Sequence, residues 1–133
     1  MKPKEHLCYL FLSCVVENDH YLWSVARYIE RNPLKADLAA TAELYCWPSA
    51  KAHITGTNDP LLSATPWLCP KGRSAYAEFV RGEDEEADNA IRRTTRTGRP
   101  YGTDQFIDQL EFLLNKQLRP GKPGRASKTE KRP

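Results

Sequence analysis

A mostly α-helical chain is predicted from three observations on its 133 residues. Apolar residues recur at helical spacing before Asn32 and again, more continuously, after Thr103. Between them, Pro60, Pro66 and Pro70 break up the chain, so no long sheet-forming run is available there. Only the stretch from Phe11 to Glu17, apolar and rich in β-branched residues, reads as a strand.

The first predicted helix ends on Tyr28-Ile29-Glu30-Arg31-Asn32-Pro33. At about 100° per residue, Leu22, Val25, Ala26 and Ile29 form one apolar stripe, with Tyr21, Tyr28 and Asn32 at its border. Pro33 is expected to stop the helix. Tyr28 is then an edge residue, either a packing ring with its hydroxyl in water or a phenol presented for chemistry. Asn32 has its own pair of readings, since Asn before Pro is a good N-cap for a second short helix.

From Thr55 to Gly72 an irregular connector is expected, with Leu61, Leu62 and Trp67 anchoring it on neighbouring helices. Helical patterns follow over 74–80, 83–95 and 103–118. Glu83-Asp84-Glu85-Glu86 opens the second of these and Arg92, Arg93 and Arg96 close it, which matches the helix dipole. Together with Arg99 the same arginines form a candidate phosphate-binding cluster. In the third, Thr103 is the N-cap, and Phe106, Ile107, Leu110, Leu113, Leu114 and Leu118 make one apolar face suited to packing on the preceding helix. The intervening Gly98-Arg99-Pro100-Tyr101-Gly102 is long for a helix-turn-helix, so a plain helical hairpin is an equal reading. Residues 119–133 are basic and rich in Pro and Gly; a disordered tail is expected, solvated or lying along DNA through Lys122 and Arg125.

Charge is uneven. The net +3 divides into six basic against seven acidic residues up to Pro70, and fourteen against ten from Lys71 onward. There is no run of about 18 apolar residues and no signal-peptide pattern, so a cytoplasmic, nucleoid-associated protein without membrane contact is expected. Cys8, Cys14, Cys46 and Cys69 are too irregularly spaced for a zinc ribbon or redox pair and are read as free thiols.

Several segments taken in order resemble one family. Phe11-Leu12-Ser13-Cys14-Val15-Val16, His20-Tyr21-Leu22-Trp23, Ala26-Arg27-Tyr28-Ile29, Asn32-Pro33-Leu34-Lys35-Ala36 and Tyr45-Cys46-Trp47-Pro48-Ser49 are similar to the C-terminal part of the REP-associated tyrosine transposases. Asp59-Pro60-Leu61-Leu62 and Thr95-Arg96-Thr97-Gly98-Arg99-Pro100-Tyr101-Gly102 resemble that family's downstream segment. These belong to the single-tyrosine HUH class, which cuts and rejoins single-stranded DNA.

The resemblance implies Tyr28 as nucleophile and the Asn32 amide as one ligand of a divalent metal, Mg²⁺ or Mn²⁺. A phenol with a pKa of about 10 needs such help at neutral pH. It also implies that residues 1–54 are a remnant of an α+β ferredoxin-like domain, one strand plus the tyrosine helix. After the 55–72 connector, residues 73–118 would be a helical DNA-binding-like region and 119–133 the tail.

The family's His-hydrophobic-His strand has no counterpart, for His6, His20 and His53 are isolated. The expectation is a truncated transposase, inactive alone, whose first strand lacks partners and whose histidine strand comes from a separate chain. Pro48, where the family has serine, and Asp37, where it has glycine, are further departures. The second reading is a non-catalytic DNA-binding module built on the arginine cluster and tail, with Tyr28 structural; an inert gene remnant is the third.

Overall fold

The computed structural model describes residues 12–18, 20–46, 49–63 and 65–121. Residues 122–133 of the expected tail, with Lys122 and Arg125, lie outside the described residues, as do Phe11 of the expected strand and the Trp47-Pro48 departure, whereas Arg119, expected as the first residue of the tail, pairs with Asp104, Asp108 and Glu111. Among the described residues there are five α-helices and no strand. These are α1 (His20–Lys35), α2 (Ser49–Thr55), α3 (Arg73–Arg81), α4 (Glu85–Thr97) and α5 (Asp104–Leu114), with 3₁₀ turns at Ala42–Leu44 and Pro70–Gly72.

Helix α1 is the hub, packing against α3, α4 and the first 3₁₀ turn, while α2 rests on α3. Tyr76, Val80, Leu68, Ala42 and Ala50 form the buried core, with Trp23, Leu34, Ile54, Trp67 and Phe79 packed around it. The core is largely aromatic: Trp23 meets Tyr76 edge-on at 5.2 Å between ring centroids, and Trp67 meets it at 5.6 Å. Edge-to-face geometry suits the quadrupoles of the rings. Trp67 thus anchors the connector as expected. Leu61 does not, being 82% exposed in a turn set by the Asp59 carboxylate, which accepts from its N–H.

The buried side of α1 differs from the predicted stripe. It consists of Ser24, Arg27, Glu30 and Arg31, while Ile29 is exposed and Leu22, Val25 and Ala26 are half-buried. Polar burial is tolerated because partners wait on the neighbouring helices. Arg31 donates to the carbonyls of Val80 and Arg81 at 2.9 Å each, satisfying the end of α3, and to Glu83 at 2.7 Å. Lys35 pairs with Glu85 and with the buried Asp88, and Arg27 lies 3.2 Å from Asp84. A ladder of three cations at four-residue spacing therefore docks on the acidic start of α4.

Pro33 does not end α1, which continues to Lys35. A proline there removes one helical bond, to the carbonyl four residues back. That carbonyl belongs to the exposed Ile29, and the helix needs only half a turn more. Asn32 is consequently inside α1, its carbonyl accepting from Ala36 N–H, and is no N-cap. Asp37, at the family's glycine position, takes the left-handed conformation with φ 54°.

The segment before α1 pairs with the turn between α4 and α5. Tyr101 N–H donates to Val15 O at 2.8 Å, and Glu17 N–H to Tyr101 O at 2.9 Å, a single parallel bridge centred on Val16. The expected strand, left without partners by the sequence, is instead an extended segment held at one residue. Pro100 has no N–H to lengthen the ladder, and α5 begins soon after it.

Helices α4 and α5 start and stop on recognisable caps. Asp84 accepts from Ala87 N–H, Thr103 accepts from Phe106 N–H, and left-handed Gly98 and Asn115 close the two helices. The left-handed Asn115 ends α5 four residues short of the predicted Leu118. Its predicted packing on α4 is also slight: no residue of α5 is buried, and Phe112, Leu113 and Leu114 are 86%, 75% and 60% exposed.

Candidate functional site

Tyr28 lies on the side of α1 that turns toward α4, half-buried. Arg92, from the fourth helix, places its guanidinium 5.6 Å from the centroid of the Tyr28 ring, within cation–π range. The same guanidinium donates to Glu85 at 3.3 Å and Asn89 at 2.9 Å. Glu85 first, then the Tyr28 hydroxyl, hold the Arg92 pKa above its ordinary value. Asn32, one turn beyond Tyr28, is exposed. The ring is therefore accessible and the amide lies free at the surface, on adjoining parts of one helix.

Arg93 and Arg96 follow in the last turns of α4 and Arg99 just past Gly98, with Arg93 and Arg99 on the side toward Ile107 and Leu118 rather than toward Tyr28. Arg93 and Arg96 are exposed and Arg99 is half-buried. None of these three forms an ion pair with a described residue, whereas Arg92 is partly neutralised by Glu85. Arg93 and Arg99 also border a small cavity of about 200 Å³ between α4, Ile107 and Leu118.

The described residues do not complete a metal site. Asn32 is the single ligand that the family resemblance assigns, and no group of three His, Cys, Asp or Glu side chains among the described residues is arranged to hold an ion. His53, which sequence alone leaves isolated, is already committed: its Nδ1 is 2.5 Å from Glu30 Oε1. Glu30 also accepts from the Tyr76 hydroxyl at 2.8 Å and from Ser49 at 3.4 Å. This network joins α1, α2 and α3 in the interior, and burial together with the Glu30 charge pushes the Tyr76 phenol well above its ordinary range. The sequence gives no spacing signal for it, because the partners of Glu30 lie 19 to 46 residues away from it.

Next to Asn32 is an open pocket of about 340 Å³ between the end of α1, the first 3₁₀ turn and the start of α2. Asn32, Ala36, Leu38, Tyr45 and Ser49 line it, with Glu30 behind them. The described cysteines, Cys14, Cys46 and Cys69, are free thiols. No described helix is long and apolar enough to cross a membrane. No family model, curated protein or solved structure matches the chain.

Proposed function

We propose that the protein is a single-stranded-DNA-binding, transposase-like chain of the REP-associated tyrosine transposase type, with Tyr28 at the position of the nucleophile. The observation that carries this reading is the seat of Arg92 over Tyr28. Two features predicted separately from the sequence, the tyrosine motif and the arginine cluster, adjoin each other across the α1–α4 seam. A backbone phosphate that reached Arg92 would lie beside the phenol. Support also comes from the order of the sequence motifs and from the exposure of Asn32 beside Tyr28.

The chemistry would be a transesterification in which Tyr28 Oη bonds to phosphorus, the bond to the 3′ oxygen breaks, and a free 3′ hydroxyl leaves. The ion pairs around α1 hold this helix in register, but among the described residues no complete donor set for a metal accompanies Asn32. Binding alone is therefore the activity proposed for the isolated protein, with cleavage dependent on a polypeptide that carries the histidine strand. The ferredoxin-like origin of the first segment and a nucleoid location belong to the same proposal.

The test incubates a single-stranded hairpin DNA with the protein, with and without a separately expressed histidine-bearing fragment and Mg²⁺. Salt-dependent retention is expected from the protein alone, and a denaturation-resistant adduct, lost in Tyr28→Phe, with the fragment. Retention with no adduct in any mixture rejects the nucleophile and leaves the binding module. Absence of retention rejects both.

A further inference from the structure

Resting on the nucleic-acid reading above, we infer that the cleft between α4 and residues 118–120 seats one nucleotide of a bound single strand, its base in the cleft and its phosphate on Arg93 and Arg99. The cleft is apolar inside and cationic at its edge. Pro100, Ile107, Leu118 and Pro120 supply hydrocarbon surface, and Arg93 and Arg99 border it. Its volume of about 200 Å³ lies below the usual range for whole small-molecule sites, so it takes a single ring system rather than a folded segment. The wall opposite α4 is fastened in place. The N–H groups of Leu118 and Arg119 donate to the Glu111 carboxylate at 2.6 and 2.9 Å, and the Arg119 guanidinium is held by Asp104, Asp108 and Glu111. Those three carboxylates line none of the cleft.

Charge decides the occupant. Arg93, Arg96 and Arg99 form no ion pair with a described residue, so their charge is open to a ligand. At about 100° per residue, Arg96 falls between Arg92 and Arg93 around α4, and with Arg99 these cations trace an arc from the Tyr28 side of the helix to the cleft. Such an arc suits a chain of repeated anions better than a lone carboxylate. A guanidinium fork grips a phosphate through two parallel bonds, and its plane also stacks on a base. The C-terminus of α4 opposes an anion with about half a negative charge, which three guanidinium groups exceed. Beyond Gly121 the sequence continues with five Lys and Arg against one Glu. The chain leaving the Pro120 wall thus brings further cations, not an acidic segment suited to the cleft. With no fixed polar group inside to read a base edge, recognition falls on stacking and is tolerant of base identity.

The experiment measures fluorescence anisotropy of a labelled twelve-nucleotide DNA and of an abasic deoxyribose-phosphate strand of equal length. Two variants alter the cleft from exposed positions. Thr97→Met fills it with an aliphatic chain, at the cost of a hydroxyl bonded only to the Arg93 and Thr94 carbonyls of its own helix, and Pro120→Ala removes a wall. The wild-type protein is expected to prefer the base-bearing strand by about tenfold. Both variants should lower that strand to the level of the abasic one, whereas Arg93→Gln/Arg99→Gln should weaken both strands alike. Equal binding of the two strands by the wild type, or a preference that survives Thr97→Met and Pro120→Ala, overturns the nucleotide seat and leaves the arginine face standing. Unchanged binding in the arginine double variant places the phosphate elsewhere and also overturns it. So does a twelve-residue poly-glutamate that binds as tightly as the DNA, which would give the cleft to an acidic protein. Failure to bind either strand overturns the underlying reading as well.

Discussion

Asp84 shows how much one side chain carries in this fold. Its carboxylate caps α4 through the Ala87 N–H and faces the buried Arg27 guanidinium, which is close enough to pair but not aligned for a hydrogen bond. Arg27 otherwise rests on the Phe79 ring at 4.3 Å. The Ala87 bond first, then Arg27, hold the Asp84 pKa below its ordinary value. A carboxylate with a depressed folded pKa stabilises the protein above the unfolded pKa and loses that contribution as pH falls through the folded value. Asp84→Ala is therefore expected to cost about 1–2 kcal/mol at neutral pH, with the difference vanishing in acid below the folded pKa. Urea unfolding of the two proteins at neutral and acid pH checks this; an equal gap at both would contradict the linkage.

At the scale of elements, the sequence reveals helices better than it reveals their faces. The periods after Ser74 and the capping residue Thr103 place the starts of α3, α4 and α5 to within two residues. Local chemistry determines those ends. The orientation of α1 is not legible, because its buried side is chosen by charges that α4 and α3 supply from 50 residues away. Hydrophobic periodicity points to Leu22 and Ile29, yet the acidic residues Glu83 and Asp84 before α4 draw Arg27 and Arg31 inward instead, while Lys35 pairs at the exposed end of the helix.

The candidate site divides in the same way. Tyr28 and Asn32 follow from one short motif, but the approach of Arg92 is a tertiary fact that no spacing in the sequence reports. The turn before α5 offers a test at this scale. A Cβ on Gly102 would lie 2.6 Å from the Phe106 ring and 2.8 Å from Glu17 Cβ, so Gly102→Ala must displace both neighbours or shift the turn itself. A loss of about 1–3 kcal/mol is expected, read by thermal unfolding; an unchanged midpoint would show that the α5 junction is loosely built.

For the whole molecule, salt is the informative variable. Each phosphate neutralised on a single strand contributes about 0.7 to the slope of log affinity against log salt. The double variant Arg93→Gln/Arg96→Gln should reduce that slope by roughly 1.4 and weaken binding to all sequences alike. A slope that does not change would place the nucleic acid on another face. Salt also weakens ion pairs at the protein surface, and the seam between α1 and α4 depends on such pairs through Lys35, Glu85 and Arg31. Measurements at high salt must therefore be read beside a stability curve.

The carboxylate of Glu17 accepts from the N–H and hydroxyl of Thr103, at 2.6 and 3.2 Å, at the threshold of α5. No residue of that helix is fully buried, so a protease nick between Glu17 and α1 would leave this tether and the Val16–Tyr101 bridge joined to the body by noncovalent contacts alone. The final helix would then be free to shift beyond Tyr101, which its packing on Tyr21 keeps in place, and its exposed leucines would make the clipped protein aggregate before the intact one does.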